Sequence, residues 1–165
     1  MKALILAEDG FEDLELFYPY YRLKEESMEV IVASSHDELT GKRGYTLHVD
    51  AHYDDINPEE FQLLIIPGGK SPERVRLNNT AISITKHFLK SKKTIAVICH
   101  GVQVLISARG VRGRKIACWY GVKDDLLAAG GIFVDGVMRD ENIVSARHPG
   151  DLADWLKTLL NTIKH

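Results

Sequence analysis

The chain of 165 residues has only two cysteines, Cys99 and Cys118, with five prolines and two tryptophans. Two isolated cysteines exclude a disulfide framework, match no zinc-ligand spacing and suit a reducing compartment. Apolar runs are no longer than a strand, which argues against a membrane-spanning helix. Met1-Lys2-Ala3-Leu4-Ile5-Leu6-Ala7 leads straight into acidic residues with no signal-peptide cleavage pattern. Charge of one sign is also missing: 21 basic residues stand against 23 acidic ones, mixed along the sequence, for a net charge of −2. That balance offers no basic stripe to nucleic acid and no polybasic tail to a membrane surface. Repeats, low-complexity tracts and linkers are absent too, so one domain over residues 1–165 and a cytoplasmic location are expected.

What the chain does contain is alternation. Short β-branched runs at 3–7, 30–34, 63–66, 94–98, 116–118, 132–134 and 143–146 read as strands. Helical patterns at 11–26, 80–89, 102–108, 122–129 and 151–163 fall between or after them. Strands alternating with helices imply an α/β fold with a mostly parallel sheet, and right-handed crossovers put helices on both faces, giving a three-layer sandwich. Pro19 is expected to kink or restart the first helix, because it cannot donate to the carbonyl of Glu15. The segment 41–53 is too short for a crossover helix and reads as a small antiparallel excursion.

Ligands of open parallel sheets collect beyond the carboxyl ends of the strands. Three of those ends carry chemistry: Glu8-Asp9-Gly10-Phe11-Glu12, Pro67-Gly68-Gly69-Lys70-Ser71-Pro72-Glu73 and Cys99-His100-Gly101. The run Thr94–Ile98 passes through Cys99-His100-Gly101 directly into a helical pattern, the signature of a nucleophile elbow. A helix start beneath the sulfur favours thiolate and is expected to draw the thiol below its ordinary pKa. The plainer reading makes Cys99 a small buried hydrophobe at a strand end. His100 can serve as base only if the turn is sharp, and Glu12, Glu8 and Glu73 are alternative carboxylates for its other nitrogen. Gly68-Gly69 is either a simple turn or a loop that brings a backbone N–H to a reacting oxygen, with the His100 N–H as second donor. Glu12 either points at the sulfur or complements the helix dipole, while Asp9, Asp13 and Glu15 read as solvated charges. His48, Asp50 and His52 alternate at period two, as a weak metal clip or, more simply, an exposed polar strand face.

Several ordered motifs together give the chain a resemblance. Phe11-Glu12-Asp13 with Tyr18-Pro19-Tyr20, Asn57-Pro58-Glu59-Glu60-Phe61, Pro67-Gly68-Gly69 with Pro72-Glu73-Arg74, Ile98-Cys99-His100-Gly101 and Lys123-Asp124-Asp125 resemble the PfpI-type intracellular protease and protein deglycase family. That family lies within the superfamily similar to class I glutamine amidotransferases. The resemblance implies a flavodoxin-like sandwich with Cys99 as nucleophile, His100 as its partner, Glu12 as the carboxyl beside the sulfur, and Gly69 with the His100 backbone as oxyanion hole. It also implies that Glu73 reaches His100 from a neighbouring subunit of a dimer or hexamer. The implied substrates are peptides, glycated proteins or small dicarbonyls such as methylglyoxal, handled without a cofactor or metal. The chain departs from the family pattern at Val102, where proline is usual, and at Trp119-Tyr120 near the pocket. A rival reading is a redox-sensing stress protein or chaperone whose Cys99 oxidises without turnover. A glutaminase half is disfavoured, since its histidine normally lies far downstream.

Overall fold

The computed structural model describes residues 1–164. Seven strands form the main sheet: β1 (Lys2–Leu6), β2 (Glu29–Ser34), β5 (Ala51–His52), β6 (Leu63–Ile66), β7 (Thr94–Ile98), β10 (Met138–Asp140) and β11 (Ile143–Ala146). Their order is β10-β11-β7-β6-β1-β2-β5, with every pairing parallel except that of β10 with β11. The chain steps from β1 to β2 on one side and returns to β6 on the other, so a topological switch point lies between β1 and β6.

Side chains alternate across the strands, and two cores result. Ala3, Ile5 and Ala7 face the layer of α1 (Asp13–Glu25) and α6 (Leu152–Ile163), where they share a cluster with Leu16, Leu23, Trp155 and Leu156. Leu4 and Leu6 face α3 (Asn79–Lys90), α4 (Val102–Ser107) and α5 (Lys123–Ala128), and pack with Ile84, Phe88, Leu105 and Leu126. The three-layer α/β sandwich read from the sequence is the fold observed.

Several local expectations change. Helix α1 runs without interruption through Pro19, whose buried ring lies on the core face of the helix. The strands expected at 116–118 and 132–134 shorten to β8 (Lys115–Ile116) and β9 (Ile132–Phe133). These pair only with each other, because β10 takes the sheet edge beside β11. Cys118 is thus a buried loop residue, not a strand residue. The excursion is a hairpin of β3 (Glu38–Thr40) and β4 (Thr46–His48), after which β5 joins the sheet in parallel. That break separates the proposed clip. His48 faces Glu38 at 3.6 Å, His52 Nε2 lies 2.6 Å from Asp37, and Asp50 accepts from the Val32 N–H. No group of three metal-binding side chains occurs among the described residues. The second half of the glycine loop is a short helix, α2 (Ser71–Val75), with proline in its first turn, where the missing N–H costs nothing.

Candidate active site

The carboxyl ends of β1, β6, β7 and β11 surround a cavity of about 470 Å³, bordered by Cys99, His100, Gly69, Glu12, Glu15 and Glu73, with Lys42, Arg43, Lys70, Trp119, His148 and Pro149 completing its wall. At its floor Ile98 is extended and Cys99 turns abruptly to φ 59°, in the left-handed region that side chains rarely occupy. A single turn over 99–101 then leads into α4. The chain can fold so sharply because Gly101 lies against the β6 backbone, where a Cβ would come within 2.5 Å of the Ile66 carbonyl oxygen. This reversal brings consecutive side chains together, and His100 Nδ1 lies 3.3 Å from Cys99 Sγ. The backbone N–H groups of Gly69 and His100 lie beside the sulfur. Gly69 is held at φ 77° by a bridge to Phe11, in a gap where a Cβ would meet the Gly10 carbonyl at 2.4 Å.

The carboxyl beside the sulfur is Glu15, not Glu12. Glu15 is wholly buried, accepts the Gly68 N–H at 2.9 Å and lies beside the Cys99 thiol. Gly68 makes room for this contact, since a Cβ there would lie 2.5 Å from Glu15 Oε1 and 2.7 Å from Cys99 Cβ. Glu12 is the N-cap residue of α1 but makes no capping hydrogen bond. It faces Arg43 Nε at 3.6 Å and Lys42 Nζ at 3.9 Å on the cavity wall. Asp13 is likewise buried and accepts from the N–H groups of Arg43 and Tyr45, which fixes the turn that carries those cations. Glu8 lies away from His100, among Ser35 and His36. Burial alone would raise its pKa, but their hydrogen bonds outweigh that effect and lower it.

Burial, not the helix start, sets the electrostatics of the sulfur. It pushes the Cys99 thiol up to about 12, with the Glu15 charge adding to the push and the Gly69 and His100 N–H groups opposing it. The lowering expected of a helix start is absent because the sulfur is largely shielded from water. Burial also pushes Glu15 up to about 8, against the pull of the Gly68 N–H. Near neutral pH the carboxyl therefore holds its proton, and the two acids titrate as a coupled pair. Burial lowers His100, with Glu73 pulling the other way. A neutral imidazole with a free Nδ1 lone pair can accept the thiol proton. Glu73 is exposed on α2 at the cavity rim and makes no hydrogen bond to the His100 ring among the described residues.

Trp119 borders the cavity, and its backbone N–H donates to the Cys99 carbonyl at 3.2 Å. Tyr120 does not border it. Its hydroxyl donates to Asp135 and accepts from Arg147, within the Arg147–Asp151 ion-pair network. Val102 is fully buried in the core below, so its difference from proline leaves the cavity wall unchanged. The sequence reading missed Glu15, Lys42, Arg43, Lys70 and His148. Glu15 had a signal, because it stands one turn before Pro19 on the buried stripe of α1, where a carboxylate is out of place. His148 follows the carboxyl end of β11, a fourth strand end at the crevice where ligands of such sheets collect.

This parallel sandwich, with a cysteine elbow at the switch-point crevice, defines a class, and the comparisons agree. The chain belongs to the DJ-1/PfpI family, whose model matches residues 1–162. It is 48% identical to Deglycase PfpI of Pyrococcus furiosus, over 99% of this chain and 100% of that protein. It is 36% identical to Protein/nucleic acid deglycase 2 of Escherichia coli, over 98% of this chain and 97% of that one. Among solved structures, a two-domain protein of Anabaena variabilis with DJ-1/ThiJ/PfpI-like and ferritin-like domains superposes with a TM-score of 0.97 at 31% identity. The match covers 100% of this chain and 50% of that protein. Schizosaccharomyces pombe DJ-1 shares the fold, with a TM-score of 0.87 at 21% identity over 98% of this chain and 91% of that one. No described helix is long and apolar enough to cross a membrane.

Proposed function

We propose that the chain is a single-domain, cysteine-dependent hydrolase that acts through Cys99 on α-dicarbonyls such as methylglyoxal and on the early adducts they form on proteins. One observation carries this reading: the sulfur of a strained elbow residue lies 3.3 Å from an imidazole nitrogen able to take its proton, beside the backbone N–H groups of Gly69 and His100. The deglycase relatives support the choice of substrate. His100 Nδ1 accepts the thiol proton as sulfur adds to the aldehyde carbon, and the carbonyl electron pair moves onto oxygen beside the Gly69 and His100 N–H groups. Return of the proton to that oxygen gives a hemithioacetal. A proton then moves from the former aldehyde carbon to the ketone carbon through an enediol, oxidising the first carbon to a thioester and reducing the second to an alcohol. Water cleaves the thioester, releasing lactate and the thiol. The sum is methylglyoxal plus water giving lactic acid, with no external oxidant. An adduct on an amine supplies the same unit and returns the amine. Glu73, exposed on α2 and without a hydrogen bond to the His100 ring of its own chain, is free to orient the imidazole of an adjoining protomer.

The test is lactate formation from methylglyoxal by the wild-type chain, Cys99→Ser and Cys99→Ala. Turnover by the wild type alone supports the reading. A wild type that forms no lactate, yet takes up peroxide oxygen at Cys99 as sulfinate, establishes the redox-sensing alternative instead.

A further inference from the structure

The cavity holds a second imidazole that the chemistry above leaves unused. His148 borders it, packed edge-on against Trp119 with ring centroids 6.3 Å apart. Its orientation is fixed locally. The Gly150 N–H donates to Nδ1 at 3.1 Å, and residue 150 must be small, because a Cβ there would stand 2.8 Å from the ring Cε1. A backbone N–H can only donate, so Nδ1 presents its lone pair and the neutral ring carries its proton on Nε2. No protein group among the described residues accepts from Nε2. Five other side chains of the wall can donate. Lys42 and Arg43 stand opposite Glu12, His100 turns Nδ1 to the sulfur and leaves its other nitrogen for Glu73, Lys70 is exposed, and the indole nitrogen of Trp119 is turned toward Gly121.

An α-dicarbonyl has two oxygens on adjacent carbons. The N–H pair beside Cys99 serves the oxygen of the carbon attacked, and the second oxygen still needs a donor. We propose that His148 is a substrate-binding residue whose Nε2–H donates to this second oxygen and selects α-dicarbonyls over simple aldehydes. The proposal rests on the reading of Cys99 as the nucleophile toward such substrates.

The test compares wild type, His148→Leu and His148→Gln by kcat/KM for methylglyoxal, with the rate of Cys99 alkylation by iodoacetamide as a control. Leucine keeps bulk without a donor, while the glutamine amide can place an N–H near the Nε2 position. Loss of one hydrogen bond should lower kcat/KM roughly tenfold in His148→Leu, with His148→Gln recovering most of it and alkylation unchanged. Equal activity in all three proteins, equal loss in both variants, or alkylation that falls in step with turnover would overturn the proposal. Should the wild type itself form no lactate, the Cys99 reading fails separately. His148 is then decided in Cys99→Ser protein by nitrogen NMR during methylglyoxal titration. A shift at Nε2 with Nδ1 unmoved sustains it, and no shift at Nε2 ends it.

Discussion

Replacing Glu15 by glutamine should stabilise the fold, by an amount that grows with pH. The carboxyl has no solvent exposure, its Oε1 accepts the Gly68 N–H, and its Oε2 has no partner. Burial pushes its pKa from the ordinary 4.5 to about 8. Between those values the unfolded chain has released the proton and the folded chain has kept it. The folded state binds more protons there, so stability is lost as pH rises through the window. At about 1.4 kcal/mol per pH unit, the penalty is on the order of 1 kcal/mol near pH 5.5 and levels off near 5 kcal/mol above about pH 8. Glutamine keeps the volume and the Oε1 acceptor but cannot ionise. Urea midpoints of the two proteins should nearly coincide at about pH 5 and diverge steadily to about pH 8.5, with Glu15→Gln the more stable. Parallel midpoints across that range, or a less stable variant at the alkaline end, would refute the reasoning. The same change should slow methylglyoxal turnover, since the site loses its acid at the sulfur, a trade of stability against function.

Gly68→Ala should lower stability by about 1–3 kcal/mol and slow Cys99 alkylation, because the new methyl would wedge between Glu15 and the elbow; an unchanged thermal midpoint and rate would contradict that packing. Ser27 closes α1 at φ 61°, with its N–H bonded to the Lys24 carbonyl, in a position that favours glycine. Ser27→Gly is therefore expected to raise stability by up to about 1 kcal/mol with no change in turnover, as read from urea midpoints and lactate assays. Inactive Cys99→Ser and Glu73→Gln subunits, mixed under verified protomer exchange, should regain part of the activity if Glu73 serves a neighbour's His100. Mixed oligomers that stay inactive would confine its action to its own chain. Iodoacetamide should label Cys99 and leave the fully buried Cys118 unmodified in the folded protein, as peptide mass spectrometry can show.

Sequence by itself determined the layers and the elbow, because both rest on local patterns. Leu63–Ile66, Thr94–Ile98 and Ile143–Ala146 are mostly apolar runs of strand length, and their observed bounds match the reading of the chain. Cys99-His100-Gly101 between such a strand and a helical pattern likewise has one sensible conformation, a sharp turn at a sheet end. Edge strands were less legible: β8, β9 and β10 have two or three residues each, and their pairing depends on which sheet edge is already occupied. Only the tertiary structure decided which carboxylate meets the sulfur. Glu12, Asp13 and Glu15 are chemically similar and three residues apart at most, yet one faces cations across the cavity, one clamps a turn and one is sealed against Cys99. Their roles follow from the rotation of α1 and from what Gly68 leaves open beside it, and these are fixed by packing against the sheet. The state of the thiol was decided in the same way. A helix start lowers a cysteine's pKa while water can reach it, but burial beside a second acid reverses the balance, and burial is a property of the assembled core.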